Sequence, residues 1–202
     1  DFSEKMKNTR NADIALTKKG ISQAKATGRL LKQEFKNFDA VFVSPFKRAQ
    51  QTAENILDAW PKEIPTIVSE GRIREKEFGI FHATTKEEIQ KQYPEWYHLK
   101  EVEGKYYFRP PGGESYPDIE LRLHSFIGTL VRDYNGKNIL LVSHSAVMLA
   151  FHKLMTRMSE EEVLTLDRQN EIKNCGIINY RFDLKKGKSG KMIPVFFNKI
   201  AY

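Results

Sequence analysis

The chain has 202 residues, 40% hydrophobic and 29% charged, with a formal net charge of +7; this length suits one well-buried domain and is short for two, and no apolar run approaches the ~18 to 20 residues of a membrane-spanning helix. Its single cysteine, Cys175, cannot form an internal disulfide, which favours a reducing compartment, the cytoplasm by default. The positive charge would draw in polyanions or small phosphorylated molecules, but Lys and Arg are scattered, and the densest run, Lys185 to Lys191, reads as a solvated hairpin turn, so nucleic acid is not an expected partner.

In chain order the pattern alternates between helix and strand. Thr17 can cap a helix in which Ile21, Ala24, Gly28, Leu31 and Phe35 recur at helical spacing. The apolar run Ala40 to Val43 follows as a buried strand. After Pro45 a second helix turns Ala49, Ala53, Ile56, Leu57 and Trp60 inward until Pro61 stops it. Thr66 to Val68 is a short strand. The segment 84–109 reads as irregular and rich in aromatics, either a lid or a small helical layer packing Tyr93, Trp96, Tyr97, Tyr106, Tyr107 and Phe108.

Pro110-Pro111-Gly112-Gly113 breaks the chain, and Ser115-x-x-Asp118 then resembles a capping box opening a helix with Ile119, Leu123, Phe126, Ile127 and Leu130 on one face. Asn135-Gly136 closes it. A strand at 139–143 leads into a helix carrying Val147, Phe151 and Leu154, and Ser159-x-x-Glu162 caps another. Residues 176–183 and 192–198 read as two strands joined by the Lys/Gly turn. These elements predict one α/β domain over residues 1–202, a three-layer α/β/α arrangement around a mostly parallel sheet.

Two apolar strands in this pattern end in polar residues of one kind of chemistry. His144 stands at the carboxyl tip of the run Ile139 to Ser143, immediately before a helix amino end, where backbone N–H groups bind anions. Arg48 falls in the first turn of its helix, where a cation opposes the dipole unless an anion is close by. Function in parallel sheets gathers at carboxyl strand ends, so the pair suggests an anion site, with phosphate the first anion to test. Glu75 and Glu77 share a charge run, and the residues alone do not separate them.

The segments Ser44-Pro45-Phe46-Lys47-Arg48-Ala49-Gln50-Gln51-Thr52-Ala53-Glu54, then Glu75-x-x-x-Gly79, then Pro111-Gly112-Gly113-Glu114-Ser115, then Val142-Ser143-His144 resemble, in order and spacing, the histidine phosphatase superfamily of phosphoglycerate mutases and related phosphatases. Leu16-Thr17-x-x-Gly20 resembles that family's first helix start. The resemblance implies a phosphoglycerate mutase-like fold; within that single domain, 84–109 is read from its own residues as a lid-like insertion. It also implies catalytic roles for Arg48 as a phosphate-binding arginine, His144 as the second histidine and Glu75, now separated from Glu77, as the proton-donating carboxylate. Arg48, His144 and Ser145 would bind the substrate; Ser145 stands where the family often has glycine. The implied reaction is phosphoryl transfer from a small phosphomonoester to a histidine, with positive side chains and helix amides stabilising charge and no metal or separate cofactor.

One element of the family is absent. No Arg-His-Gly occurs in the sequence, and residues 1–15 are too polar for the buried strand that should carry it. The expectation is that the nucleophilic histidine lies upstream of Asp1. A phosphatase is favoured because the stretch between Glu75 and Gly113 is short for an elaborate mutase site. The alternatives are a mutase, with Lys100, Lys105 and Arg109 holding a second anion, or a catalytically inactive module that binds phosphorylated ligands. Oligomeric state and physiological substrate stay open.

Overall fold

The computed structural model describes residues 8–60, 66–187 and 190–202. The expected helix stop at Pro61, part of the Lys/Gly turn at Lys188 and Ser189, and the first seven residues lie outside that range.

Helix α1 (Lys18–Glu34) begins where Thr17 accepts the Gly20 N–H on its side chain at 3.1 Å. It feeds strand β1 (Ala40–Val43), every residue of which is buried. Helix α2 (Lys47–Leu57) and strand β2 (Thr66–Ser69) follow. Strand β3 (Ile139–Val142) completes a parallel sheet in the order β2-β1-β3, with Ala40 opposite Thr66 on one side and Ile139 on the other.

Alternation along β1 assigns its side chains to two cores. Val41 and Val43 face α1 and α2, packing with Ala24, Leu31, Ala49, Ala53, Ile56 and Trp60. Ala40 and Phe42 face the opposite layer, built from helices α5 (Tyr116–Asp133), α6 (Ser145–Thr156) and α7 (Glu160–Gln169), which contributes Ile119, Leu123, Phe126, Val147, Leu149 and Val163. The sheet is therefore covered on both faces, as a parallel sheet must be. Close approach of α1 to α2 rests on Gly28, where an added Cβ would lie 2.5 Å from the Ile56 carbonyl oxygen.

The segment 84–109 is not irregular. Thr85 and Glu88 form a full capping box for helix α3 (Lys86–Gln92), and Pro94 opens helix α4 (Pro94–Tyr107), which kinks at Gly104 with φ 74°. Phe81, Ile89 and Phe108 make a satellite core there with Tyr93 and Tyr97. The aromatic content disguised the helices because α4 divides its rings, Tyr97 on this satellite core, Tyr106 in the main core and Trp96 and Tyr107 exposed, instead of aligning them along one stripe.

Strands β4 (Ile177–Asp183) and β5 (Lys191–Lys199) pair antiparallel as a separate ribbon. The ribbon leans on α6, where His152 donates to or accepts from the Tyr180 hydroxyl at 2.7 Å and lies 4.7 Å from the Phe197 ring. Among the described residues, β3 pairs on one edge only, with β1.

Candidate active site

The tips of β1 and β3 deliver two helix starts side by side. The Ser44 N–H donates to the Val142 carbonyl at 2.9 Å, so the strand ends stay in register past the last ladder pair. His144 is the N-cap residue of α6, extended at φ −131° and ψ 160°, and its carbonyl accepts the Met148 N–H. Arg48 is the second residue of α2. The third side chain arrives on the loop after β2, where a short 3-10 turn, Gly71–Ile73, brings Glu75 inward.

Glu75 Oε2 lies 3.6 Å from His144 Nδ1 and 3.7 Å from Arg48 Nη2. All three side chains are largely buried. Burial pushes the Glu75 carboxyl above the usual carboxylate range, against the opposing pull of the Lys76 N–H and the charges of Arg48, Arg122 and Lys76. Burial, then the positive charges of Arg48 and Arg122, pushes His144 down to about 3, so the ring is neutral at physiological pH. The Arg48 guanidinium loses affinity for its proton through burial yet keeps its charge, held by Asn11, whose carbonyl and side-chain oxygens accept from Nη1 at 2.7 and 3.1 Å. It also stacks 5.0 Å from the Phe46 ring.

The loop that carries Glu75 is braced from α5. Arg122 donates to the Glu75 carbonyl at 3.4 Å and to the Arg72 carbonyl at 2.6 Å, while Glu114 accepts from Arg122, Arg74 and the Glu77 N–H. Gly79 is left-handed at φ +53°, and its position against the Pro111 carbonyl leaves no room for a Cβ, which would sit 1.9 Å from that oxygen. Thus Glu75-x-x-x-Gly79 and Pro111-Gly112-Gly113-Glu114 form one interlocked unit, with the Phe78–Gly113 bridge between them.

The structure brings Arg48, Glu75 and His144 together and leaves Ser145 exposed on the first turn of α6, adjacent in chain to His144. Glu77 has its backbone, through its carbonyl and N–H, tied to Glu114. No local sequence pattern assigns a role to Ser44, Asn11, Glu114 or Arg122. Ser44 and Glu114 stood inside the motifs already singled out, and a serine at a buried strand tip was the readable signal. Among the described residues no group of three or more His, Cys, Asp or Glu is disposed to hold a metal ion, and no helix is long and apolar enough to cross a membrane. A fixed cation, a neutral imidazole and a carboxyl held toward its protonated form can together bind one anionic group and exchange a proton with it.

Comparison with known proteins agrees with the motif order. The family model of the histidine phosphatase superfamily (branch 1) matches residues 2–191. The chain is 30% identical to the 2,3-bisphosphoglycerate-dependent phosphoglycerate mutase of Methylobacterium radiotolerans, over 75% of this chain and 72% of that protein. It is 29% identical to the enzyme of the same name from Mesorhizobium japonicum, over 77% and 76%. In fold it is similar to the alpha-ribazole phosphatase of Shigella flexneri, with a TM-score of 0.76, 23% identity and coverage of 94% of this chain and 86% of that one. With a family match across nearly its whole length and its motifs gathered at one sheet edge, the chain belongs to the histidine phosphatase superfamily.

Proposed function

We propose that this protein hydrolyses small phosphomonoesters through a phosphohistidine intermediate. The observation that carries the reading is the convergence of Arg48 and His144 on the Glu75 carboxylate, at 3.7 and 3.6 Å. Arg48 and the His144 ring N–H would hold the phosphoryl oxygens, with Ser145 at the α6 amino end as a further donor. The nucleophilic histidine attacks phosphorus and the P–O bond to the leaving group breaks, while Glu75 gives its proton to the departing oxygen. Water then attacks the phosphohistidine, the P–N bond breaks, and the Glu75 carboxylate takes the water proton. A raised Glu75 pKa suits both steps, because the group must be protonated in the first and ionised in the second.

The nucleophile is assigned to a strand upstream of residue 1, seated along the edge of β3 that has no partner among the described residues. Such a strand would lie beside the tip that carries His144 and would join β3 to the β4–β5 ribbon. Ile177 of the ribbon and Leu140 of β3 already pack on the same core. A phosphatase is favoured over a mutase because two cations suited to a second anion are engaged elsewhere: Arg109 by Asp118 and Lys105 by Asp167.

The test is turnover of an aryl phosphate by protein expressed from its native start codon, with phosphate release compared with isomer formation on phosphoglycerates. Arg48→Ala and His144→Ala should each lower turnover at least ~100-fold, on the scale of one lost charge-stabilising donor. Near-normal rates in both would mean the pocket is not the reaction site, and isomerisation much faster than release would make the enzyme a mutase.

A further inference from the structure

Ser44 is 0% exposed, and its hydroxyl lies 2.7 Å from His144 Nε2. The same oxygen accepts the Phe46 N–H at 3.3 Å. From these contacts we infer that Ser44 is a positioning residue that fixes His144 as the Nδ1–H tautomer and aims that proton into the phosphate pocket; the inference deepens, and rests on, the reading of the pocket given above.

A hydroxyl has one proton to give and two lone pairs to offer, and a neutral imidazole has one donor and one acceptor nitrogen. Sealed from solvent, the Ser44 proton must find a protein acceptor or stand unpaired at the full cost of its desolvation. Nε2 is the acceptor at hydrogen-bonding distance, and the Phe46 N–H already occupies a lone pair on the same oxygen. The arrangement that satisfies both groups has Ser44 donating to Nε2, which leaves the ring proton on Nδ1. That nitrogen is the one turned toward Glu75, at 3.6 Å, beyond a normal hydrogen bond and so available to an anionic oxygen entering between His144 and Arg48.

The fold supplies the geometry without help from the ligand. Ser44 and His144 sit just past the paired ends of β1 and β3, tied by the Ser44 N–H to the Val142 carbonyl, and the imidazole and Phe46 rings meet edge-on at a centroid separation of 5.2 Å. The ring therefore has one orientation, and Ser44 selects which nitrogen carries hydrogen. In water a histidine side chain favours the other tautomer, Nε2–H; without Ser44 the nitrogen facing the pocket would become an acceptor, repelling a phosphate oxygen.

Long-range proton–nitrogen correlation on the full chain labelled with 15N-histidine tests this directly. At neutral pH, His144 in the wild type should give a protonated Nδ1 and an unprotonated Nε2. Ser44→Ala should move the proton to Nε2 and weaken inorganic phosphate binding ~10-fold, the scale of one hydrogen bond; Ser44→Thr should restore the wild-type pattern. An Nε2–H ring in the wild type, which needs no variant to fold, overturns the inference, as does an unchanged tautomer in a natively folded Ser44→Ala protein. Phosphate titration of the wild type separates the two readings. An Nδ1–H ring that does not respond to phosphate upholds the role of Ser44 and counts against the pocket as a phosphate site.

Discussion

Glu114 and Arg122 form a two-point ion pair, Nε to Oε1 at 3.0 Å and Nη2 to Oε2 at 3.1 Å, with side chains only 12% and 10% exposed. Both residues also hold the backbone of the Glu75 loop, Glu114 through the Glu77 N–H and Arg122 through the Arg72 and Glu75 carbonyls. Breaking such a pair from one side leaves a buried charge uncompensated, which costs about 3–5 kcal/mol. Glu114→Ala and Arg122→Leu should each destabilise by roughly that amount, and the double variant by clearly less than their sum. Urea unfolding of the four proteins measures the coupling; additive effects would mean that the pair does not brace the loop.

Gly79 and Gly128 offer a matched contrast. Gly79 has φ +53° and an imagined Cβ 1.9 Å from the Pro111 oxygen, whereas Gly128, within α5, has nothing within 4 Å. Gly79→Ala should cost ~2 kcal/mol or more, from left-handed strain with the backbone clash added. Gly128→Ala should stabilise by about 0.5–1 kcal/mol, since alanine loses less conformational freedom in a helix. Thermal melts of the two variants check the signs, and an unchanged midpoint in Gly79→Ala would deny that the interlocked loops need glycine there.

Lys76 is 8% exposed, lies over the Tyr116 ring at 4.7 Å, and is pulled down to about 8 by burial first and then by the charge of Lys105. Between pH 8 and the unfolded value of 10.5 the unfolded chain holds this proton and the folded one does not, so stability should rise with pH across that window. Lys76→Met keeps the packing volume and removes the charge. It should be more stable than the wild type at pH 7 and should flatten the rise. Chemical denaturation between pH 7 and 10 reads both; a slope equal in the two proteins would assign it to other groups.

The contrast between what was legible and what was not follows the length of the interactions. Thr17, Ser115 and Ser159 are readable as caps because each acts on an N–H three residues away. Arg48 and His144 are readable because strand tips and helix starts are local events, and both fall at one edge. The Ser44–His144 contact spans 100 positions and depends on the β1–β3 register, which no local pattern specifies. Glu75 and Glu77 are equivalent as neighbours in a charge run; only the turn before them and the Glu114 brace turn one toward His144. Helix α4 hid for a different reason: its rings are divided among the satellite core (Tyr97), the main core (Tyr106) and the surface (Trp96 and Tyr107), with no stripe to recognise.

His144 carries the steepest pH consequence. In the unfolded chain its ring takes a proton near 6.5, and in the folded protein, pushed down to about 3 by burial and by Arg48 and Arg122, it does not. Between those values the unfolded state binds more protons, so stability falls as pH drops through 6.5 toward 3, by up to ~1.4 kcal/mol per pH unit from this group. Glu75 opposes part of that loss, because its raised pKa makes the folded state take up a proton earlier than the unfolded chain does. His144→Asn should therefore lose less stability than the wild type between pH 6.5 and 4.5, and Glu75→Gln should lose more. Denaturant midpoints for the three proteins across that range test the pair together. Parallel curves for wild type and His144→Asn would mean that the imidazole is charged in the folded state and that Arg48 faces a like charge across the pocket.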